Sequence, residues 1–133
     1  ELAESMINDN NCDIIWGVAG NAGNGAAEAC LETGKAYFIG VDSDQYDAGL
    51  MSDGKSAVLT SALKRVDTAA YYFAEQVKNG TFQGGTMVFD ASNDGIGFPK
   101  ENPNLSDEIV KAMEDALAKI KSGEIVVDEA VQK

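Results

Sequence analysis

The stretch A-Y-F-I-G-V-D-S-D-Q-Y, residues 36–46, decides how the chain is read. Its first six residues, Ala36 to Val41, carry only apolar groups, a tyrosine and a glycine, the pattern of a buried strand. Asp42, Ser43, Asp44 and Gln45 then arrive together, where such a strand runs out. In open α/β sheets, ligands sit in the crevice beyond the carboxyl ends of the strands. A carboxylate there is a candidate for holding hydroxyl groups. The alternative is a polar turn or cap with no ligand.

Outward from this stretch, strands and helices alternate. Upstream, Leu2, Ala3, Met6 and Ile7 have helical spacing, broken by Asn8 to Asn11. Asp13 to Val18 reads as a short strand, Gly20 to Gly25 as a tight turn, and Ala26 to Thr33 as a helix stopped by Gly34. Downstream, a polar loop from Asp47 to Lys55 leads to a strand over Ala57–Thr60. Val66, Ala69, Ala70, Phe73, Ala74 and Val77 then mark one face of a helix ended by Asn79-Gly80. Thr86 to Phe89 is a fourth expected strand, and Gly95, Gly97, Pro99 and Pro103 mark an irregular loop. Ser106 opens a last helix with Asp107 and Glu108 in its first turn, and Ile109, Val110, Met113, Ala116, Leu117 and Ile120 form its apolar face. The helix ends at Lys121-Ser122-Gly123, and Ile125 to Val127 is a short extended segment. This alternation implies βαβ units: an α/β fold with a mainly parallel sheet flanked by helices.

Composition excludes several classes. The 133 residues match one ordinary domain, and 44% hydrophobic with 24% charged content is that of a globular chain. A formal net charge of −12 repels phosphate backbones, so no nucleic-acid partner is expected. The chain has no histidine, which removes Ser-His and Cys-His catalysis from it. Cys12 and Cys30 lack metal-ligand spacing and read as small buried hydrophobes rather than a disulfide. No cofactor and no metal site is called for. The longest apolar runs are a few residues, too short for a membrane span. Glu1 opens on what reads as the middle of a helix, so a piece of a longer polypeptide is expected.

Three strand ends carry candidate chemistry. Trp16, the single tryptophan, stands near the end of the first strand and suits stacking on a planar ring; packing in the core is the alternative. The glycines after it let a ligand approach backbone N–H groups. Asp42 ends the second strand. Lys64 follows the third and has the charge to pair with Asp42 and donate to a ligand hydroxyl; a solvated lysine is the alternative. Asp67 is accounted for by the helix dipole, and Asp90 and Asp94 read as turn residues. One enzyme reading competes. A glycine turn followed by Asp42, seventeen residues beyond Gly25, mimics a dinucleotide-binding fingerprint. Yet the turn is G-x-x-G-x-G rather than G-x-G-x-x-G, and no acid–base pair for hydride chemistry accompanies it.

The runs D-I-I-W-G-V-A-G-N-A-G-N-G (13–25), I-G-V-D-S-D-Q (39–45) and L-T-S-A-L-K-R-V-D (59–67) closely resemble the basic membrane protein family, as do N-D-G-I-G-F (93–98) and I-K-S-G-E-I-V-V (120–127). These are nucleoside-binding lipoproteins of bacterial ABC transporters with the two-lobed type I periplasmic-binding-protein fold. The resemblance implies that residues 1–133 are a C-terminal portion of such a protein, mostly second lobe, with residues about 61–85 returning to the first lobe. It implies a purine nucleoside as ligand, bound without chemistry, an ABC permease as partner, and an extracytoplasmic location held by a lipid anchor outside this piece. By the same resemblance Asp42 holds the ribose hydroxyls, Lys64 assists, Gly20 approaches through its backbone, and Trp16 takes the place of a base-stacking aromatic that is usually Phe. The turn departs from the family's G-G-T-G by inserting Asn21 and Ala22. The competing functions are a nucleotide-cofactor-binding enzyme domain and a same-fold sensor of another small molecule.

Overall fold

The computed structural model describes residues 1–127. They divide into two compact units, one of Glu1–Lys64 with Phe98–Ser106, the other of Arg65–Gly97 with the segment from Asp107 onward.

The first unit is built on three parallel strands, β1 (Ile14–Trp16), β2 (Tyr37–Asp42) and β3 (Val58–Lys64), in that order. Helices α1 (Leu2–Asn8) and α2 (Ala22–Thr33) accompany them. Parallel neighbours need a long crossover, and α2 supplies it between β1 and β2. The core gathers Ile7, Ile15, Ala27, Ala29, Cys30, Ala36, Phe38, Ala57 and Val58. Phe38 and Val58 are fully buried, and each such side chain contributes roughly 2–3 kcal/mol of transfer free energy. Cys30 lies in this core and Cys12 is half-buried against it, both as free thiols.

Helix α2 begins four residues earlier than the expected Ala26, so Gly23 and Gly25 lie in it rather than in the turn. The reason is close packing. A Cβ on Gly23 would stand 2.8 Å from the Gly17 carbonyl oxygen, and a Cβ on Gly17 would stand 2.4 Å from the Phe38 ring. Glycine here serves the approach of helix to strand, not only the bend. Gly34, in the left-handed conformation, stops α2 as expected.

Strand β3 also runs longer than expected, four residues beyond Thr60, which makes Lys64 its last residue. The β2–β3 crossover carries no α-helix. It is held by the Ser56 hydroxyl, which donates to Tyr46 O at 2.7 Å and accepts from Val58 N at 3.0 Å. The loop expected around Pro99 and Pro103 has a further task. Asn102 Nδ2 donates to Leu59 O at 2.6 Å, and Asn104 Nδ2 donates to Ser56 O and Val58 O, each at 2.8 Å. Two asparagine side chains thereby occupy carbonyls at the start of β3 and just before it that water would otherwise take.

The second unit contains α3 (Val66–Asn79), a 3-10 turn at Ala91–Asn93, a two-residue extended piece at Ile96–Gly97 and α4 (Asp107–Ser122). Neither helix has a fully buried residue. The α4 stripe is half-buried at Val110, Met113, Leu117 and Ile120, but Val66, Phe73 and Val77 of the expected α3 face are exposed. The expected strand Thr86–Phe89 is not formed; Val88 O instead accepts from Asn93 Nδ2 at 2.9 Å. A strand exists only through a neighbour that takes its backbone groups, and an apolar stripe is buried only by a facing surface. The described part of this unit supplies no pairing strand to Thr86–Phe89 and leaves Val66 and Val77 uncovered. It holds instead an aromatic cluster, with Tyr72, Phe73, Phe82 and Phe89 in edge-to-face contacts at 5.4–6.2 Å. Ile125 likewise forms no strand and donates its N–H to Lys119 O.

Candidate functional site

Because β1, β2 and β3 are parallel, their carboxyl ends share one edge of the sheet. Those ends are Trp16, Asp42 and Lys64. Register places Trp16 beside Ile39 and Asp42 beside Leu63, so Asp42 lies roughly 10 Å further along the strand direction than Trp16.

Asp42 and Lys64 are brought into contact. Lys64 Nζ stands 2.8 Å from Asp42 Oδ1, with the two side chains 65% and 56% exposed. An exposed pair of this kind is worth about 0–1 kcal/mol, too little to explain the residues by stability. The carboxylate keeps lone pairs open to solvent and the ammonium keeps donors, a combination that suits adjacent hydroxyls.

The backbone at Asp42 is unusual. Its φ is +69°, and Ser43 N donates to Val41 O at 2.8 Å, the pattern of the rare, strained γ-turn. The left-handed region costs a non-glycine residue roughly 1–2 kcal/mol, and Asp tolerates it better than most. Such strain persists where surrounding contacts over-determine it, and it concentrates at functional sites.

Trp16 is 61% exposed. It lines a concavity of about 510 Å³ whose walls include Leu2, Met6, Val18, Ala22 and Ala26. Asp42, Lys64 and Gly20 do not belong to that lining. Gly20 is exposed, with φ +54° at the turn after β1, and a Cβ there would meet no atom within 4 Å. The structure thus joins Asp42 to Lys64 and puts Trp16 and Gly20 near the end of the adjacent strand.

The lesser candidates take structural roles. Asp67 receives Arg65 through Nε at 2.9 Å and Nη2 at 2.8 Å, a two-bond pairing that holds its carboxyl at about 2, below the usual 3.8. Asp90 caps the 3-10 turn, and the Ser92 hydroxyl and backbone N–H hold its carboxyl below the usual range. Asp94 sits in the left-handed conformation and pairs with Lys121. Asp44 closes a local turn, its Oδ1 accepting from Tyr46 N at 3.1 Å. Gln45 does more than the sequence indicated: its Oε1 accepts from Val41 N at 2.9 Å, and its N–H donates to Ser61 Oγ at 3.0 Å. The signal for it was Gly40, since an interior strand glycine often marks a close approach.

Comparison with known proteins adds a second line. The family described as Bmp, ABC transporter substrate-binding protein PnrA-like, matches residues 1–130. The chain is similar to the CD4+ T-cell-stimulating antigen of Listeria monocytogenes, 34% identical over 97% of the chain and 39% of the relative. It is similar to basic membrane protein A of Borreliella burgdorferi, 36% identical over 95% of the chain and 36% of that protein. The ABC transporter nucleoside-binding protein BmpA of Lactococcus lactis is 35% identical over 79% of the chain and 34% of its own length. The chain therefore spans 34–39% of the length of these three relatives. Among solved structures, a transcriptional activator of the comK gene from Bacillus halodurans superposes with a TM-score of 0.77 at 19% identity, covering 93% of this chain and 42% of that one. An ABC transporter solute-binding protein from Aeropyrum pernix superposes with a TM-score of 0.66 at 26% identity, covering 98% and 44%.

Proposed function

The chain belongs to the PnrA-like family of ABC transporter substrate-binding proteins, and on that premise we propose that it contributes the sugar-binding wall of a purine-nucleoside site. In this reading Asp42 accepts hydrogen bonds from the two ribose hydroxyls and Lys64 donates to one of them. Trp16 stacks on the base and Gly20 offers its backbone. The site binds and releases its ligand; no bond is made or broken.

The observation that carries the reading is the exposed Asp42–Lys64 pair at 2.8 Å on the carboxyl edge of a parallel sheet. A carboxylate accepts from two neighbouring hydroxyls at once, and charge-assisted hydrogen bonds are roughly twice as strong as neutral ones. Support also comes from the similarity to a protein named as nucleoside-binding. The whole polypeptide would then hand the nucleoside to an ABC permease on the outer side of the bacterial membrane, held there by a lipid anchor. The chain would be mostly the second of two lobes, with residues about 61–85 returning to the first.

The test is calorimetric titration of a polypeptide extended to the relatives' length with inosine, guanosine and adenosine. Saturable binding is expected, lost in Asp42→Ala. If nucleosides leave the melting temperature unchanged while NAD raises it, the nucleoside reading is wrong and the cofactor-binding reading replaces it.

A further inference from the structure

We infer that Gln45 is a positioning residue for Asp42, the latch that holds the carboxylate in the orientation a vicinal diol requires; this rests on the ribose-binding role proposed for Asp42. The Gln45 side chain folds back over β2. Its Oε1 takes the Val41 N–H at 2.9 Å, and its backbone N–H donates to Ser61 Oγ at 3.0 Å. Ser61 is buried on β3, so the donation fixes the turn to the neighbouring strand. A third bond, Gln45 Nε2 to Asn24 Oδ1 at 3.4 Å, reaches α2 across the sheet edge. Residues 42–44 are thereby enclosed between two anchored points, and Asp42 is left with φ +69°.

The strand is shaped for this latch. A Cβ on Gly40 would stand 2.7 Å from Gln45 Oε1 and 2.7 Å from Ser61 Oγ. The glycine leaves room for the glutamine to lie against the strand. Without the Gln45 acceptor, Val41 N–H loses its partner, and the turn keeps only the Ser43 N to Val41 O bond onto β2. Asp42 then relaxes toward ordinary extended backbone, which redirects its side chain away from Lys64.

The experiment compares wild type, Gln45→Ala and Gln45→Glu in the polypeptide extended to the relatives' length. Glutamate keeps an acceptor for Val41 N–H, and its added charge acts equally on every nucleoside. The first readout is the ratio of affinities for inosine and 2′-deoxyinosine. A merely structural loss lowers both affinities together and leaves this ratio unchanged. Wild type is expected to prefer inosine by about thirtyfold, the scale of one hydrogen bond to a charged group. In Gln45→Ala the ratio falls below about fivefold, and in Gln45→Glu it stays within about twofold of wild type. The second readout needs no ligand: the strong intraresidue HN–Hα NOE of a positive φ, present at Asp42 in wild type and Gln45→Glu and lost in Gln45→Ala. An unchanged ratio in Gln45→Ala, or a retained NOE, overturns the latch. A wild type that binds neither nucleoside overturns the ribose reading instead, while the NOE still decides whether Gln45 holds Asp42.

Discussion

Lys64 Nζ lies 2.8 Å from Asp42 Oδ1, joining the last residues of two neighbouring parallel strands, although more than half of each side chain faces solvent. The pair therefore does little for stability, and its effect should appear in binding. Asp42→Asn, which keeps a residue tolerant of the positive φ, and Lys64→Met are each expected to change unfolding free energy by less than about 1 kcal/mol in urea titrations. Asp42→Ala should abolish measurable nucleoside binding by calorimetry, while Lys64→Met weakens it by about tenfold or more. A loss of several kcal/mol of stability in Asp42→Asn or Lys64→Met would mean that the pair is a structural clamp.

Gly17 tests the close approach of β1 to its neighbour. A methyl group there meets the buried Phe38 ring at 2.4 Å, too close for any small adjustment. Overpacking of this kind costs about 1–3 kcal/mol. Gly17→Ala should lower the denaturation midpoint accordingly. Gly25→Ala should not, because no atom lies within 4 Å of its Cβ position.

Asn104 tests the edge of β3. Its amide donates to two backbone carbonyls, Ser56 O and Val58 O. Asn104→Ala leaves both without that donor and is expected to cost about 1–3 kcal/mol. Hydrogen exchange should then rise at the amides that follow these carbonyls. Asn104→Asp should be as damaging, since a carboxylate has no proton to donate.

Asp67 gives a pH dependence with a definite sign. The Arg65 guanidinium holds its folded carboxyl at about 2, below the usual 3.8. A depressed carboxyl contributes stability above its unfolded pKa and loses it as pH falls toward the folded value. The contribution is therefore present above about pH 4 and fades between about 3.8 and 2. NMR titration should find the Asp67 midpoint near 2, and Asp67→Asn should flatten the stability profile in that window. A midpoint close to 3.8 would show that the Arg65 contact is not kept in solution.

Much of the fold was legible because it depends on local pattern. The apolar run before Asp42 marked β2, and Gly34 and Gly80 marked helix ends that the backbone confirms with left-handed φ values. Elements that depend on a distant surface were less legible. The α3 stripe through Val66, Phe73 and Val77 has helical spacing, but spacing carries no information about whether a facing surface is present. Thr86–Phe89 has strand composition, yet a strand's hydrogen bonds belong to its neighbour. The start of α2 was misplaced because glycines read as a turn when they in fact admit a helix against Gly17 and Phe38.

The sequence by itself determined a parallel α/β fold, the family to which the chain belongs, and the strand-end location of Asp42. Those depend on residue order, periodicity and motif, which are properties of the linear chain. Only the tertiary structure decided that Lys64 reaches Asp42, that Trp16 is open to solvent, and that Gln45 folds back over Gly40 to leave Asp42 at φ +69°. These depend on which strands lie side by side and in what register. Register decides which strand-end side chains lie side by side, and periodicity within one strand carries no information about it.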